Sequence, residues 1–300
     1  MTINNLYKKI LFLFLIAGSC IQASAQSCEK KDLKESKYII DVLSSDSLKG
    51  RLAGSADEKK AADIIVSLFR KNKLIPFFKD SFRYPFRFLQ DSVSCTSADL
   101  AGMINNNADS TIVFIAHYDH IGMGGPRSKS LTSHKIHPGA DDNASGVAAL
   151  ILLSEKLNSG KYKKYNYLFI STGAHESGLW GAKALADSGR LASLKIKCII
   201  NLDMVGRLDT QTKILEYATG DQSSFPESVF KSYSNESVKL VKMELPPGDH
   251  TPFSDKGFPV LFLTTGSHED YHKISDTADK INYKGLLQVI GFVEYLILCR

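Results

Sequence analysis

The chain has 300 residues, of which 43% are apolar and 23% are charged, and its formal net charge is +5. This composition is ordinary for a folded globular protein and argues against a largely disordered chain. The positive charge is small and forms no long basic block, so the sequence gives no support for a nucleic-acid partner. The length suits one large α/β domain or two small ones.

The N-terminus has the pattern of an export signal. Two lysines precede an apolar core at 10–17, which is too short to span a bilayer, and small residues then predict cleavage before Gln26. We therefore expect a signal peptide at 1–25 and a single domain at 26–300, located in the periplasm or outside the cell. A lipoprotein anchored through Cys20 is the second route. No other segment has the pattern of a stable membrane span.

Four cysteines remain after such cleavage: Cys28, Cys95, Cys198 and Cys299. Export permits disulfides, but the sequence leaves their pairing open. No Cys-x-x-Cys pair occurs, which argues against a thiolate zinc site or a thioredoxin-like redox centre.

Apolar patterning predicts helices over 33–49 and 56–72, followed by short strands and turns over 80–105. Continuous apolar runs then predict strands that are covered on both faces, at 111–116, 167–170, 196–200 and 260–263. Further helices are predicted at 146–158, 177–189, 225–234 and 280–298. This alternation predicts an α/β protein: a three-layer sandwich with a central mixed, largely parallel sheet flanked by helices.

Polar residues follow each of these four strands. They occupy 117–120, 172–176, 201–203 and 266–272, and they include His, Asp and Glu side chains. Because sites in open α/β sheets form beyond the carboxyl ends of the strands, we expect these residues to meet at one edge.

A fifth polar stretch, at 138–146, places Asp141 and Asp142 side by side before a predicted helix. Two adjacent acids repel each other, so the fold must supply a helix N-terminus, a basic side chain or a metal ion. A plain turn that caps the helix is the alternative. A calcium loop is excluded, since Leu152 stands where its bidentate Glu is needed. Five positions of zinc-compatible type together favour two zinc ions.

The residues and the order of these motifs resemble those of a known protein family. His-x-Asp, Gly-Ala-Asp-Asp-Asn-Ala-Ser-Gly, Ala-x-Glu-x-Gly-Leu, Asn-Leu-Asp-Met and Tyr-His follow one another along the chain. This series is similar to that of the zinc-dependent aminopeptidases that include bacterial leucine aminopeptidases, the catalytic domain of glutamate carboxypeptidase and, more distantly, glutaminyl cyclases. Each motif is weak by itself, and the resemblance extends over about 35–300.

The resemblance implies a zinc-exopeptidase-like fold and a ligand set for two zinc ions. Asp142 falls at the bridging carboxylate, and the peptide bond after it is expected to be cis. The remaining ligands fall in two pairs, one for each ion: His117 with Asp203, and Glu176 with His272.

The resemblance also assigns supporting roles. Asp119 matches an acid that orients His117, and Tyr271 matches a residue that binds the oxyanion in some members. Asp141 and His120 are expected just outside the ligands, and His250 near the pocket. The histidines at 134, 137 and 268 match no ligand and are interpreted as surface or loop residues.

One departure concerns the general base. The family normally has two adjacent glutamates, a base followed by a ligand, whereas this chain has His175 before Glu176. The resemblance therefore implies an exported two-zinc aminopeptidase of low activity, with His175 as an imperfect base and peptides with a free N-terminus as substrates. The alternatives are a zinc-binding homologue without turnover and a glutaminyl-cyclase-like enzyme.

Overall fold

Helices and strands alternate along the chain, as the apolar pattern predicts. A computed structural model describes residues 26–90, 92–132, 134–220, 225–233 and 237–299. The predicted signal peptide lies outside these residues. None of the helices in the described part of the chain combines the length and the apolar character needed to cross a bilayer.

Seven α-helices lie in the described residues: α1 (26–43), α2 (Ala56–Lys71), α3 (Gly146–Leu157), α4 (Trp180–Asp187), α5 (Glu227–Ser232), α6 (Thr251–Ser254) and α7 (Tyr283–Leu298). Nine strands accompany them: β1 (Ile75–Pro76), β2 (Arg83–Gln90), β3 (Val93–Ile104), β4 (Thr111–His117), β5 (Asn166–Thr172), β6 (Ile196–Leu202), β7 (Ile214–Thr219), β8 (Lys239–Lys242) and β9 (Val260–Thr264).

The strands form one mixed sheet in the order β1-β3-β5-β4-β6-β9-β7-β8, with β2 paired to β3. The central strands β5, β4, β6 and β9 run parallel. Antiparallel pairs flank them, β3 against β5 on one side and β7 against β9 on the other. The predicted mixed, largely parallel centre is confirmed.

The sheet is wider than the sequence predicts. The short strands and turns expected over 80–105 are wrong in detail, because β2 and β3 form a long antiparallel pair. Polar residues interrupt the apolar pattern of β3, and this hides its length. Three further strands, β1, β7 and β8, are not predicted from the sequence, since all three are short and at most half-buried. The first helix covers 26–43 rather than 33–49.

Side chains of the central strands alternate between two buried layers. Ile112 and Phe114 of β4 pack in a cluster with α2, α3 and α7, whereas Val113 and Ile115 pack in a second cluster with α4 and Phe253. Successive side chains of a strand point to opposite faces, so a strand covered on both sides must be apolar throughout. This confirms the α/β sandwich, and it leaves the polar residues at the strand ends as the parts that can form a site.

Candidate metal centre

The segment before α3 is held against the end of β6. The amide nitrogen of Asn143 donates to the Leu202 carbonyl at 2.9 Å, and its amide oxygen accepts from the Met204 and Gly146 backbone N–H groups at 3.1 and 3.0 Å. A side chain at Gly146 would collide with the Leu202 carbonyl. The Asp142–Asn143 peptide bond is cis, which confirms the expectation from the resemblance.

A second acid, Asp276, fixes the same segment from the other side. Its carboxylate accepts from the backbone N–H groups of Asp141 and Asp142 at 3.0 and 3.1 Å. Burial, reinforced by the charge of Asp141, raises the pKa of Asp276 to about 6. The sequence reasoning missed Asp276, and its only signal was an acid four residues after His272.

Asp141 is buried, and its carboxylate contacts residues outside the predicted ligand set. Its carboxylate accepts from the Gly206 N–H at 2.7 Å and lies 3.0 Å from the His268 ring. His268 lies in a loop, as the interpretation allows, and its ring pairs with this buried carboxylate. His137 also lies in a loop but has a buried side chain, whereas His134 is exposed.

The five predicted ligands form two adjoining groups that share Asp142. In the first group, His117 Nε2 lies 3.3 Å from Asp142 Oδ1 and 3.5 Å from Asp203 Oδ1. In the second group, His272 Nε2 lies 3.2 Å from Asp142 Oδ2 and 3.1 Å from Glu176 Oε1. The two oxygens of Asp142 therefore face different groups.

These spacings fit two bound cations. Ligand atoms arranged tetrahedrally about 2.0–2.1 Å from zinc lie about 3.3 Å apart. His117 Nε2, His272 Nε2 and Asp142 Oδ2 are buried and have no hydrogen-bond partner among the described residues. Buried polar atoms are rarely left without partners, so these three atoms are suited to bind a metal ion. Imidazole and carboxylate donors suit zinc.

His120 lies closer to the second group than expected. Its Nδ1 is 3.1 Å from Glu176 Oε1 and 3.8 Å from Asp142 Oδ2. The ring is fully buried, and its other nitrogen lacks a hydrogen-bond partner among the described residues. His120 can therefore either donate to Glu176 or join Asp142 and Glu176 in binding a metal ion.

Asp119 orients the ring of His117 and also holds the backbone of His175 and Glu176. Its backbone carbonyl lies 3.2 Å from His117 Nδ1, whereas its carboxylate is 3.8 Å away. The carboxylate accepts from the backbone N–H groups of His175 and Glu176 at 2.9 and 3.2 Å. Asp119 thus positions the residue at the base position and a predicted ligand together.

His175 lies flat against His117, with ring centroids 3.8 Å apart and ring planes at 9°. Its Nδ1 lies 3.2 Å from Asp249 Oδ1. Its ring also belongs to a cluster with His117 and Asp203 whose ligand atoms all lie within 4.8 Å of one another. His175 can accept a proton there or complete the first ligand group.

Asp249 is buried, and its carboxylate also accepts from the Thr172 hydroxyl. The next residue, His250, is buried as well and donates to the Pro246 carbonyl at 3.0 Å, while Asn201 donates to its other nitrogen at 3.2 Å. His250 therefore anchors the turn that carries Asp249. Sequence reasoning placed His250 near the pocket but missed the contact between Asp249 and His175.

Tyr271 stacks on His272, with ring centroids 4.0 Å apart. Burial, together with the charges of Asp142, Glu176 and Asp203, raises the pKa of its phenol. The hydroxyl therefore stays protonated at neutral pH and can donate a hydrogen bond.

Comparison with known proteins identifies the family that shares this arrangement of residues. A model of peptidase family M28 matches residues 99–297, a range that contains all five predicted ligands. The chain belongs to peptidase family M28.

Curated relatives of this M28 chain are distant. The uncharacterized protein YfbL of Escherichia coli K12 is 26% identical over 223 residues, covering 63% of this chain and 67% of that protein. Leucine aminopeptidase 1 of Penicillium rubens is 27% identical over 196 residues, covering 60% of this chain and 49% of that protein. The chain spans about half the length of most of the leucine aminopeptidases it matches.

Solved structures share the M28 fold. A leucine aminopeptidase precursor from Bacteroides thetaiotaomicron has a TM-score of 0.72 at 15% identity, covering 88% of this chain and 96% of that chain. A glutaminyl cyclase from the same organism has a TM-score of 0.72 at 15% identity, with 88% and 97% covered. The zinc aminopeptidase BSAP from Bacillus subtilis has a TM-score of 0.68 at 18% identity, with 88% and 93% covered. These likenesses establish the fold.

A buried arginine outside the matched residues supports the M28 centre. Arg51 is fully buried and donates to the carbonyls of Leu43, Tyr118, Pro138 and Gly139, the last three at 2.8, 2.7 and 3.0 Å. Its guanidinium therefore joins the residue after His117 to the turn that leads into Asp142. Burial lowers the pKa of Arg51 to about 10, so the side chain remains charged at neutral pH.

Replacing Arg51 should destabilise this junction strongly. Arg51→Met leaves four backbone carbonyls without their donor, and each unsatisfied buried group costs about 1–3 kcal/mol. We expect a loss of at least about 3 kcal/mol in the free energy of unfolding, measured by urea denaturation of the zinc-loaded protein. Arg87→Met, at an exposed position of β2, should change it by less than about 0.5 kcal/mol. Equal losses in the two variants would contradict the role of Arg51.

Proposed function

We propose that this protein is an exported metallopeptidase that uses two zinc ions to remove N-terminal residues from peptides. The proposal rests on Asp142, whose two carboxylate oxygens lie 3.3 and 3.2 Å from imidazole nitrogens of two separate ligand groups. A shared carboxylate between two such groups is the arrangement that a two-metal hydrolase needs.

The ligands would hold the ions as follows: His117 and Asp203 one, Glu176 and His272 the other, with Asp142 between them. When bound, the pair supplies an acidified water and polarises the scissile carbonyl. The Tyr271 hydroxyl would donate to the oxyanion that develops on that carbonyl. His175 would accept a proton through the ring nitrogen that does not face Asp249, and then pass it to the leaving amine.

The choice of an aminopeptidase follows the names of the relatives. Several curated relatives are leucine aminopeptidases, and BSAP is a zinc aminopeptidase. Peptides with a free N-terminus are therefore the proposed substrates.

His175 also supports a second candidate, a zinc-binding homologue without turnover. A neutral imidazole beside two cations resists protonation, because nearby positive charge disfavours its charged form. Glutaminyl cyclisation is a third candidate, since a glutaminyl cyclase shares the fold at the same TM-score as the leucine aminopeptidase precursor.

One experiment separates these candidates. The zinc-loaded protein is assayed on leucyl and other aminoacyl p-nitroanilides, on their N-acetylated forms and on a glutaminyl peptide, with and without chelator. We expect weak turnover of the unblocked aminoacyl substrates, which the chelator abolishes. Turnover of the glutaminyl peptide alone would indicate a cyclase, and two bound zincs without any turnover would indicate the binding protein.

Export is part of the proposal and is tested separately. The mature chain should begin near Gln26 and fractionate outside the cytoplasm, and N-terminal sequencing of the native protein measures this. A lipid-modified Cys20 at the terminus would support the anchored form instead.

A further inference from the structure

A cavity of about 610 Å³ lies beside the predicted ligands, formed mainly by the loop that follows β4. Its walls mix apolar side chains with polar ones, which include an amide, three hydroxyls, a histidine and a guanidinium. The lining includes Leu52, Ile121, Met123, Leu131, Gln90 and Arg127. A cavity of this size can hold one or two amino-acid residues.

Two lining residues are tied directly to the predicted metal centre. The backbone carbonyl of Arg127 accepts from Nδ1 of His272 at 3.0 Å. The amide oxygen of Gln90 accepts from the hydroxyl of Ser177, next to Glu176, at 3.2 Å. The cavity therefore adjoins the place where a scissile bond would lie.

A buried histidine holds the loop that carries Arg127. His137 Nδ1 donates to the Lys135 carbonyl at 2.9 Å, so its Nε2 is free to accept from the Ser128 hydroxyl at 2.7 Å. The His137 backbone N–H donates to the Gly122 carbonyl at 2.9 Å. The wall next to Arg127 is thus fixed by hydrogen bonds in the absence of a ligand.

Arg127 brings to this wall a positive charge that has no ion-pair partner among the described residues. Arg83 and Arg207 each pair with an aspartate at 2.7 and 2.8 Å. Among the described residues, no carboxylate lies within ion-pair distance of Arg127, and no acidic side chain lines the cavity. A guanidinium is shaped to bind a carboxylate through two parallel hydrogen bonds.

We propose that Arg127 binds a carboxylate of a short peptide substrate, beyond the bond that the metal centre would cleave. This inference rests on the proposed peptidase function and names its substrate class. The backbone carbonyl of Arg127 bonds to the predicted ligand His272, so the Arg127 side chain starts close to the metal centre. Each extended residue of a substrate spans about 3.3–3.6 Å, and the guanidinium can therefore reach only the first few residues of a bound peptide. The terminal carboxylate of a dipeptide or tripeptide lies within that reach, and so does an acidic side chain.

The test measures binding without requiring turnover. Leu-Ala analogues with a reduced CH₂–NH bond are titrated into the zinc-loaded protein by calorimetry, as the free acid and as the C-terminal amide. A Leu-Asp amide analogue of the same kind supplies the side-chain carboxylate. We expect at least one of the two acids to bind about tenfold more tightly than the Leu-Ala amide, as a charge-assisted hydrogen bond provides. The acid with the larger gain in affinity over the Leu-Ala amide shows whether Arg127 binds a terminal or a side-chain carboxylate.

Arg127→Gln should remove this difference and leave binding of the amide unchanged. Arg87→Gln, at an exposed site outside the cavity, should keep the difference. Equal binding of all three analogues by the wild type, or an undiminished difference in Arg127→Gln, would overturn the inference. Turnover of Leu-Ala is measured on the same preparations, so a binding difference without turnover would refute the peptidase proposal alone.

Discussion

Asp142→Ala is expected to lose both metal ions. Each oxygen of Asp142 lies within 3.3 Å of a ligand imidazole, one in each group, so one substitution removes a donor from both. Loss of a residue that only supports a metal ligand already lowers affinity about 10–100-fold, and loss of a shared ligand should exceed about 100-fold at each position. The measurement is metal content per chain after dialysis against defined free zinc.

The matched control is Asp80→Ala, which removes an exposed carboxylate in the turn before β2. It should retain two ions per chain, as the wild type should. Circular dichroism checks that both variants remain folded. A wild type that binds at most one ion tightly would refute the two-metal assignment, and an Asp142→Ala protein that keeps both ions would refute the bridge.

His175→Ala is expected to lower kcat by about 10²-fold, the low end of the usual contribution of general acid–base catalysis because the imidazole is an imperfect base, while both ions stay bound. His175→Glu restores the glutamate that the family normally has at this position. However, the new carboxylate would lie close to Asp249, whose oxygen is 3.2 Å from the present imidazole. Two acids at that distance repel each other, so the single variant should gain little.

The double variant His175→Glu/Asp249→Asn removes this repulsion and should be the fastest of the series. Asp249→Asn alone completes the cycle, and the coupling of the two sites follows from the four rates. Metal content is measured for every variant, since His175 also lies within ligand distance of His117 and Asp203. If His175→Ala loses an ion rather than rate, His175 is a ligand and the base lies elsewhere.

The sequence alone determined the layers of the fold and the types of residue at the site. Central strands such as β4 are buried on both faces, so they must be apolar throughout, and this pattern is visible without coordinates. The strands that escaped prediction, β1, β7 and β8, are short and at most half-buried, so their apolar residues form no clear pattern in the sequence. The polar residues at the ends of these strands were recognisable because each group directly follows a continuous apolar run.

Only the tertiary structure decided how these residues are paired. Asp249 is 74 residues after His175 in the chain, and Asp276 is more than 130 residues after the segment it holds, so no local period links them. Arg51 and Arg127 look like ordinary surface cations in the sequence, although one is fully buried and the other lines a cavity. The spacing of apolar residues along the chain shows which face of a helix or strand is buried. Contacts between segments distant in the sequence depend instead on how the layers pack against each other. The ligand types were therefore readable from the sequence, and their supporting partners were not.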